Sequence, residues 1–223
     1  MKKLINGILQ FRRSLTPERR QNYARLALGQ SPDALLITCS DSRVAPNVFA
    51  STDPGDLFVV RNVGNLIAPW SENDHSGANS VAAAAEYAVA VLKVPDIVVC
   101  GHAECGAMRA IVDGRDRLTA PFVKDWLAHG EPSLRKMRLG QHVNPDLPPH
   151  NTLSQLNVLQ QMEHLASYPI IQERLEAGKL RVHGWWFDIG QADLYAYEPS
   201  QHRFMLIDEE EARRLLKLIG SAP

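Results

Sequence analysis

Short apolar runs separated by helical segments constrain the fold of this chain more than any other feature. The runs at 34–38, 57–60 and 96–99 are almost continuously apolar, which is typical of strands buried on both faces of a parallel sheet. An alanine-rich stretch at 81–92 and a longer segment at 152–167 are predicted to be helices. This alternation predicts an α/β fold, with a mostly parallel central β-sheet flanked by helices.

The remaining elements complete this sheet and its cover. Residues 2–28 are predicted to be helical with a break near Pro17. Further helices are predicted at 107–112, 121–127 and 209–218, and further strands at 180–189 and 203–207. Because the sequence has no internal repeat and no clear linker, residues 1–223 are predicted to be a single domain in which residues 1–30 form an N-terminal helical arm.

Composition narrows the classes of function. The chain of 223 residues carries 24 basic and 25 acidic side chains, so no basic face is implied and nucleic acid is not an expected partner. The first residues lack the features of a signal peptide, and no run is long enough to span a membrane, which predicts a cytoplasmic protein without a membrane partner. Three cysteines without a secretion signal indicate thiolate chemistry or metal binding rather than disulfides.

Three residues with metal-binding side chains follow two of the apolar runs. Cys39 ends the first run, and His102 and Cys105 follow the third. The carboxyl ends of parallel strands meet at one edge of a sheet, so the topology can bring these residues together. Zinc prefers cysteine and histidine ligands, and three protein ligands leave the fourth position to water, as in catalytic sites. The set therefore predicts a catalytic zinc site.

Asp41 and Arg43 lie beside the first of these residues. In an extended segment, Cys39, Asp41 and Arg43 point to one side of the chain. A guanidinium can clamp a carboxylate through two parallel hydrogen bonds. Clamped, Asp41 can accept a proton from zinc-bound water. Unclamped, it can take the fourth zinc position itself.

Each of these residues also has an ordinary structural interpretation. A strand-end cysteine is usually a small buried hydrophobe, and an isolated Asp-x-Arg is usually a surface ion pair of little value. The structural interpretation would require several independent coincidences in the same two segments, so the catalytic site is preferred. Cys100 can be a competing ligand, a redox partner of Cys105 or an inert buried thiol, and the apolar run before it favours burial. His75 and His142 lie in polar loops, where they can shuttle protons.

Several motifs resemble those of the β-class carbonic anhydrases, and of their bacterial members in particular. They are Cys-Ser-Asp-Ser-Arg-Val at 39–44, Gly-Asp-Leu-Phe-Val-Val-Arg-Asn-Val-Gly-Asn at 55–65, Glu-Tyr-Ala-Val at 86–89, Cys-Gly-His-Ala-Glu-Cys-Gly-Ala-Met at 100–108 and His-Gly-Trp-Trp-Phe-Asp-Ile at 183–189. The resemblance implies zinc-dependent reversible hydration of carbon dioxide to bicarbonate and a proton, by attack of zinc-bound hydroxide. It implies one Zn²⁺ per chain on Cys39, His102 and Cys105, with Asp41 and Arg43 as the catalytic dyad.

The resemblance also implies a substrate pocket around Gln30, Phe58, Val63, Tyr87 and Gly106. Carbon dioxide is small and apolar, so Phe58 and Val63 suit its slot. Gln30 and the backbone N–H of Gly106 can donate hydrogen bonds as charge develops on oxygen. Without the resemblance, Phe58, Val63 and Tyr87 would be interpreted as core residues and Gln30 as a helix-end residue.

Two positions bear on regulation. Family members inhibited by bicarbonate resemble a pattern with tryptophan three residues before the first cysteine ligand and glycine directly before it. Leu36 and Thr38 occupy those positions here, and together with Gln30 they argue against the inhibited type. The resemblance then implies water at the fourth zinc position near neutral pH, with Asp41 bound to Arg43 and released only in acid.

The resemblance further implies a homo-oligomer. Family members pair through exchanged N-terminal helices and often assemble into tetramers or octamers, and the apolar stripe from Leu4 to Phe11 agrees with such pairing. A neighbouring subunit can then complete the pocket. Three other functions stay open: a related hydrolase of carbon disulfide or carbonyl sulfide, a bicarbonate-binding or structural zinc protein without turnover, and a thiol redox protein built on Cys100 and Cys105.

Overall fold

A mixed sheet lies at the centre of the computed structural model, which describes residues 1–72 and 80–220. Its strands are β1 (Ala34–Cys39), β2 (Leu57–Asn62), β3 (Asp96–His102), β4 (Arg181–Asp188), β5 (Asp193–Glu198) and β6 (Arg203–Leu206). Across the described residues they form one six-stranded sheet in the order β2-β1-β3-β4-β5-β6. Pairing is parallel from β2 to β4 and antiparallel from β4 to β6, which confirms the predicted mostly parallel sheet.

Helices connect and cover the strands. They are α1 (Lys2–Ser14), α2 (Pro17–Leu26), α3 (Pro46–Phe49), α4 (Ser80–Glu86), α5 (Gly106–Asp113), α6 (Pro121–Trp126), α7 (Glu131–Arg138), α8 (Pro149–Ala166), α9 (Pro169–Glu176) and α10 (Glu209–Gly220). The predicted break near Pro17 is confirmed, because Thr16 caps α2 through the N–H of Arg19 and Pro17 opens it. The predicted helix 81–92 is α4 continued by a π-helical segment, Tyr87–Leu92.

Both faces of β1 and β3 are covered, which explains the continuous apolar runs of these two strands, whereas β2 at the sheet edge is only partly buried. Leu35, Ile37 and Val99 belong to the large core on one face. On the other face, Leu36 and Cys100 pack in a smaller cluster. Alternate residues of a strand point to opposite faces, so a strand buried on both sides needs apolar residues at every position.

No helix among the described residues is both long and apolar enough to cross a membrane. His75, one of the two histidines predicted as a proton shuttle, lies outside the described residues.

Close contact between β3 and α8 makes Gly101 sensitive to substitution. A methyl group at Gly101 would lie 2.7 Å from Val158 Cγ2 and 3.4 Å from the carbonyl oxygen of Ser154. We expect Gly101→Ala to lower the free energy of unfolding by about 1–3 kcal/mol, because the helix must move away from the strand. Urea denaturation measures this change. Gly29→Ala is the control, since its methyl group would meet no described heavy atom within 4 Å. Equal midpoints for both variants would contradict the close packing.

Candidate metal centre

The three predicted ligand residues meet at the carboxyl edge of the sheet. Cys39 ends β1, His102 ends β3, and Cys105 directly precedes α5. One ligand atom from each side chain lies within 4.8 Å of the other two. All three residues are buried, with at most 5% of their surface exposed. The parallel sheet therefore brings Cys39 next to His102 and Cys105, which follow it by more than 60 positions in the sequence.

The imidazole of His102 is oriented as a metal ligand would be. Its Nδ1 lies 2.7 Å from the carbonyl oxygen of Ala103, which requires Nδ1 to carry the proton and donate. In the neutral imidazole Nε2 is then the lone-pair nitrogen, and this buried atom has no hydrogen-bond partner among the described residues. A buried nitrogen acceptor without a donor is costly, and a bound cation would satisfy it.

The two thiols compete for one proton. A hydrogen bond from Cys105 lowers the pKa of Cys39 to about 4. The same hydrogen bond, together with burial and the charge on Cys39, raises the pKa of the Cys105 thiol. A divalent cation would replace the shared proton and stabilise both thiolates. Two thiolates and one neutral imidazole suit zinc, so the residues present fit the predicted metal.

Asp41 and Arg43 form the predicted ion pair. Arg43 donates from Nε to Asp41 Oδ1 at 2.9 Å and from Nη2 to Asp41 Oδ2 at 2.7 Å. The backbone N–H of Arg43 also donates to Asp41 Oδ1, at 3.0 Å. This two-pronged contact fixes the plane of the carboxylate relative to the neighbouring Cys39.

Hydrogen bonds from Arg43 keep Asp41 ionised. They hold the pKa of the Asp41 carboxyl well below its usual range, against the opposing effect of burial. A depressed folded-state pKa stabilises the folded protein above the unfolded value of about 3.9, and this contribution is lost as pH falls below it. The clamp therefore persists at neutral and mildly acidic pH, and its opening by protonation requires strong acid.

Arg61 holds the turn that carries the dyad, a role that the sequence did not reveal. Its Nη2 donates to the carbonyl oxygens of Asp41 and Val44 at 2.8 and 2.7 Å, and its Nε donates to that of Cys39 at 3.1 Å. Arg61 lies on β2, next to β1. One guanidinium thus ties three carbonyls of the segment 39–44 to the neighbouring strand.

A row of polar side chains on α8 holds the other loops of the site. This polar stripe of α8 consists of five buried residues spaced three or four apart: Asn151, Ser154, Asn157, Gln161 and His164. Its first two members bind the ligand loop 102–105. Ser154 donates to the carbonyl oxygen of His102 at 2.8 Å, and Asn151 accepts from the N–H of Glu104 at 2.8 Å.

The other members of the polar stripe of α8 bind the loop after β2. Asn157 donates to the carbonyl oxygen of Gly64 at 3.2 Å. Gln161 accepts from the N–H of Ile67 at 2.7 Å, and His164 Nδ1 lies 2.7 Å from the carbonyl oxygen of the same residue. This loop matters for the metal site because the N–H of Gly64 donates to Cys39 Sγ at 3.4 Å. Such hydrogen bonds stabilise a thiolate ligand.

Cys100 is separate from the three ligand residues. It is fully buried in a cluster with Leu36 and Phe187, whereas Cys39 and Cys105 belong to another cluster. Burial raises the pKa of the Cys100 thiol to about 12, which leaves it protonated and unreactive at neutral pH. The predicted burial is confirmed, and the placement argues against both a fourth ligand and a redox pair with Cys105.

Two of the predicted pocket residues adjoin the ligands within one chain. Gly106 follows Cys105, and a methyl group there would meet no described heavy atom within 4 Å, so the space beside it is open. Val63 directly precedes Gly64, whose N–H donates to Cys39. The surface of Val63 is 43% exposed. Its carbonyl oxygen accepts a hydrogen bond from Trp126 Nε1 at 2.8 Å.

The other predicted pocket residues lie farther away. Phe58 pairs with Leu35 at the opposite end of β1 from Cys39, four residues or about 13 Å along the strand. Tyr87 contacts Phe58, with ring centroids 5.9 Å apart, and Gln30 is exposed in the connection before β1. His142, the second candidate shuttle, is exposed, and its Nδ1 lies 2.8 Å from the carbonyl oxygen of Gly140.

Comparison with known proteins agrees with this geometry. The carbonic anhydrase family model matches residues 34–194, which include the whole metal centre. The solved structure of the β-carbonic anhydrase CcaA superposes with a TM-score of 0.82 at 36% identity, over 92% of this chain and 98% of that one. The chain belongs to the β-carbonic anhydrase family. Carbonic anhydrases form an enzyme class that acts through a bound metal, and the three buried ligand residues can hold one.

Relatives within the family cover most or all of the chain. A carbonic anhydrase from Pseudomonas aeruginosa is 38% identical over 223 residues, covering 100% of this chain and 98% of its own. One from Synechococcus elongatus is 39% identical over 94% of this chain and 76% of its own. A solved tetrameric β-carbonic anhydrase from Sordaria macrospora superposes with a TM-score of 0.74 at 30% identity, over 88% of this chain and 97% of that one.

Proposed function

We propose that this protein is a zinc enzyme that catalyses the reversible hydration of carbon dioxide to bicarbonate and a proton. The observation that carries the proposal is the combination of three buried ligand atoms within 4.8 Å and a clamped, ionised carboxylate two residues from one of them. Cys39, His102 and Cys105 would hold the zinc. When bound, zinc supplies a Lewis acid that makes water nucleophilic near neutral pH. A purely structural zinc site would need neither Asp41 nor Arg43.

Asp41 and Arg43 have distinct roles in this proposal. Asp41 is kept ionised by two side-chain hydrogen bonds from Arg43, so its carboxylate can accept a hydrogen bond from the reacting water and orient it. Arg43 holds that carboxylate in one plane and keeps it away from the metal. The backbone N–H of Gly106, at the start of α5, would donate to the oxygen on which charge develops.

A second copy of the chain completes the proposed pocket. Phe58 lies about four strand residues from the edge of the sheet that carries the metal ligands, and Tyr87 packs against Phe58. Both side chains are therefore too far from the metal centre of their own chain and would reach only that of another subunit. Gln30 likewise faces outward in its own chain. The homologous tetramer from Sordaria macrospora supports assembly into a homo-oligomer. The cytoplasmic location expected from the sequence stays a prediction.

The surface of α1 supports such pairing. None of its residues is buried within the described part of the chain. Its exposed residues include five large apolar side chains, each at least 46% exposed: Leu4, Ile5, Ile8, Leu9 and Phe11. We expect the double variant Ile5→Glu/Leu9→Glu to release monomers, because two charges would have to be buried in the apolar contact. Light scattering after size exclusion measures the mass, and Gln10→Glu, exposed on the opposite face of the same helix, is the control. Unchanged mass in the double variant would contradict pairing through α1.

Stopped-flow hydration of carbon dioxide with a pH indicator tests the proposed activity, with zinc quantified in the same sample. Fast hydration at one zinc per chain would support the proposal. Full zinc without hydration from pH 7 to 9 would overturn it. The same sample would then be assayed with carbon disulfide and carbonyl sulfide, since turnover of either would assign the related hydrolase activity, and turnover of none would leave a non-catalytic zinc protein.

A further inference from the structure

Glu104 has an unusual conformation at the centre of the metal loop. It lies between His102 and Cys105, and its φ of 54° places it in the left-handed region. Side chains other than glycine rarely adopt this region, so surrounding contacts must hold the residue there. Glycine would adopt it without strain.

Asn151 supplies a reciprocal pair of contacts to Glu104. Its Oδ1 accepts from the backbone N–H of Glu104 at 2.8 Å, and its Nδ2 donates to Glu104 Oε1 at 3.1 Å. Asn151 is only 6% exposed and sits in the first turn of α8. The Glu104 carboxylate is held further by Arg109 Nη2 at 2.6 Å and lies 3.0 Å from His150 Nε2. The contact with the backbone N–H fixes the plane of the peptide between Ala103 and Glu104, and the side-chain contact holds Glu104 itself.

The carbonyl group of Glu104 connects this arrangement to the dyad. It accepts a hydrogen bond from Arg43 Nη2 at 3.0 Å, while the same nitrogen donates to Asp41 Oδ2 at 2.7 Å. A guanidinium Nη nitrogen carries two N–H groups, so both are used. The guanidinium of Arg43 is thereby fixed from two sides, although 48% of its side chain is exposed.

From this chain of contacts we propose that Asn151 is a positioning residue for Arg43. It acts through Glu104: Asn151 binds the N–H and the side chain of this left-handed residue. The φ and ψ of Glu104 then direct its carbonyl oxygen, in the next peptide, toward the arginine that orients Asp41. The inference rests on the proposed function, because it assigns Asn151 to the dyad of that reaction. It also makes a statement about Arg43 that can be measured without turnover.

A double-mutant cycle separates positioning from a general structural effect. We expect Asn151→Ala to lower kcat/KM for carbon dioxide about 10-fold in zinc-loaded protein, because a displaced dyad loses its orientation. In an Arg43→Ala background the same change should cost less than about twofold, since its target is gone. Thr152→Ala is the matched control: Thr152 is equally buried in the same turn, and its hydroxyl donates to Leu147 at 3.2 Å, outside the site. Equal losses in both backgrounds would overturn the proposal.

A rescue experiment tests the role of the left-handed residue. In a Glu104→Gly background, the backbone at position 104 needs no support to adopt a positive φ. Adding Asn151→Ala to Glu104→Gly should therefore change kcat/KM by less than about twofold relative to Glu104→Gly alone. A full 10-fold loss on this background would show that Asn151 does not act through the conformation of Glu104, and would overturn the proposal.

An NMR measurement keeps the inference independent of activity. The Nε–H of Arg43, identified by its absence in Arg43→Lys, is held at 2.9 Å from Asp41 Oδ1. We expect it to exchange with water about 10-fold faster in Asn151→Ala than in wild type or Thr152→Ala. If wild type with full zinc does not hydrate carbon dioxide, the proposed function fails and this exchange rate alone decides the inference. Unchanged exchange in Asn151→Ala would overturn it.

Discussion

Asp41→Asn is expected to lower kcat for carbon dioxide hydration by about 100- to 10,000-fold, the range contributed by a positioned proton acceptor. The amide has nearly the same shape as the carboxylate but is neutral, so it is a weaker acceptor for the proton of the reacting water. Its NH2 end also cannot accept one of the two hydrogen bonds from Arg43, which are 2.9 and 2.7 Å long in the wild type. The metal ligands are untouched, so the variant should keep one zinc per chain. Stopped-flow hydration and zinc analysis on one sample measure both quantities.

The control for this prediction is Asp116→Asn. Asp116 also forms an ion pair, with Lys124 Nζ at 2.8 Å, but its side chain is 84% exposed and belongs to no part of the metal centre. Removing its charge should leave kcat within the error of the assay, because exposed ion pairs contribute little. If Asp41→Asn retained zinc and a near-normal rate, Asp41 would have no catalytic role and the clamp by Arg43 would be structural.

Cys105→Ala should lose the metal and, with it, all measurable hydration. Cys105 is 1% exposed, and its sulfur is one of three ligand atoms within 4.8 Å. Without it, only one thiolate and one imidazole remain, and two protein ligands do not hold zinc against a chelator. We expect zinc content after dialysis against a mild chelator to fall from one per chain to below about one-tenth. Circular dichroism should show that the sheet is retained.

Cys100→Ala is the matched control for this loss. Cys100 lies within β3, five residues before Cys105, and is fully buried, but it packs in a different cluster from Cys39 and Cys105. Its replacement should cost about 1 kcal/mol of stability from lost packing and leave zinc content at one per chain. Full zinc in Cys105→Ala would remove Cys105 from the ligand set, whereas zinc loss in Cys100→Ala would assign that thiol a role the structure does not give it.

Strands with continuous apolar runs could be predicted from the sequence, but several elements without such a run or a clear helical pattern could not. β1, β2 and β3 are found where continuous apolar runs predict them. β5 was not predicted, because it pairs antiparallel with β4 and only Ala196 in its Asp-Leu-Tyr-Ala-Tyr-Glu sequence is buried. α7 and α9 were also missed, although Pro132 and Pro169 lie in their first turns, where proline is favoured and would have been a usable signal.

The metal centre shows the same division. Ligands at strand ends could be predicted, because parallel topology alone brings Cys39 and His102 together. The polar stripe of α8 was missed, since amide and imidazole side chains on a helix usually indicate a solvent-facing surface. Their spacing of three and four residues was visible, but its meaning depends on which backbone groups face the helix. Phe58 and Tyr87 lie away from the metal centre of their own chain, so a pocket that includes them depends on a second subunit, which the sequence of one chain does not position.

The polar stripe of α8 bears on how the protein can be handled once its metal is removed. Its hydrogen bonds to the loops at 64–67 and 102–105 are made by the chain alone. In a zinc finger the ion is part of the folding reaction, so chelation unfolds the domain. Here the metal-binding loops are held in place by α8, so removal and readdition of the metal should be reversible under native conditions. The identity of the ion thereby becomes an experimental variable, and cobalt could replace zinc as a spectroscopic reporter without a refolding step.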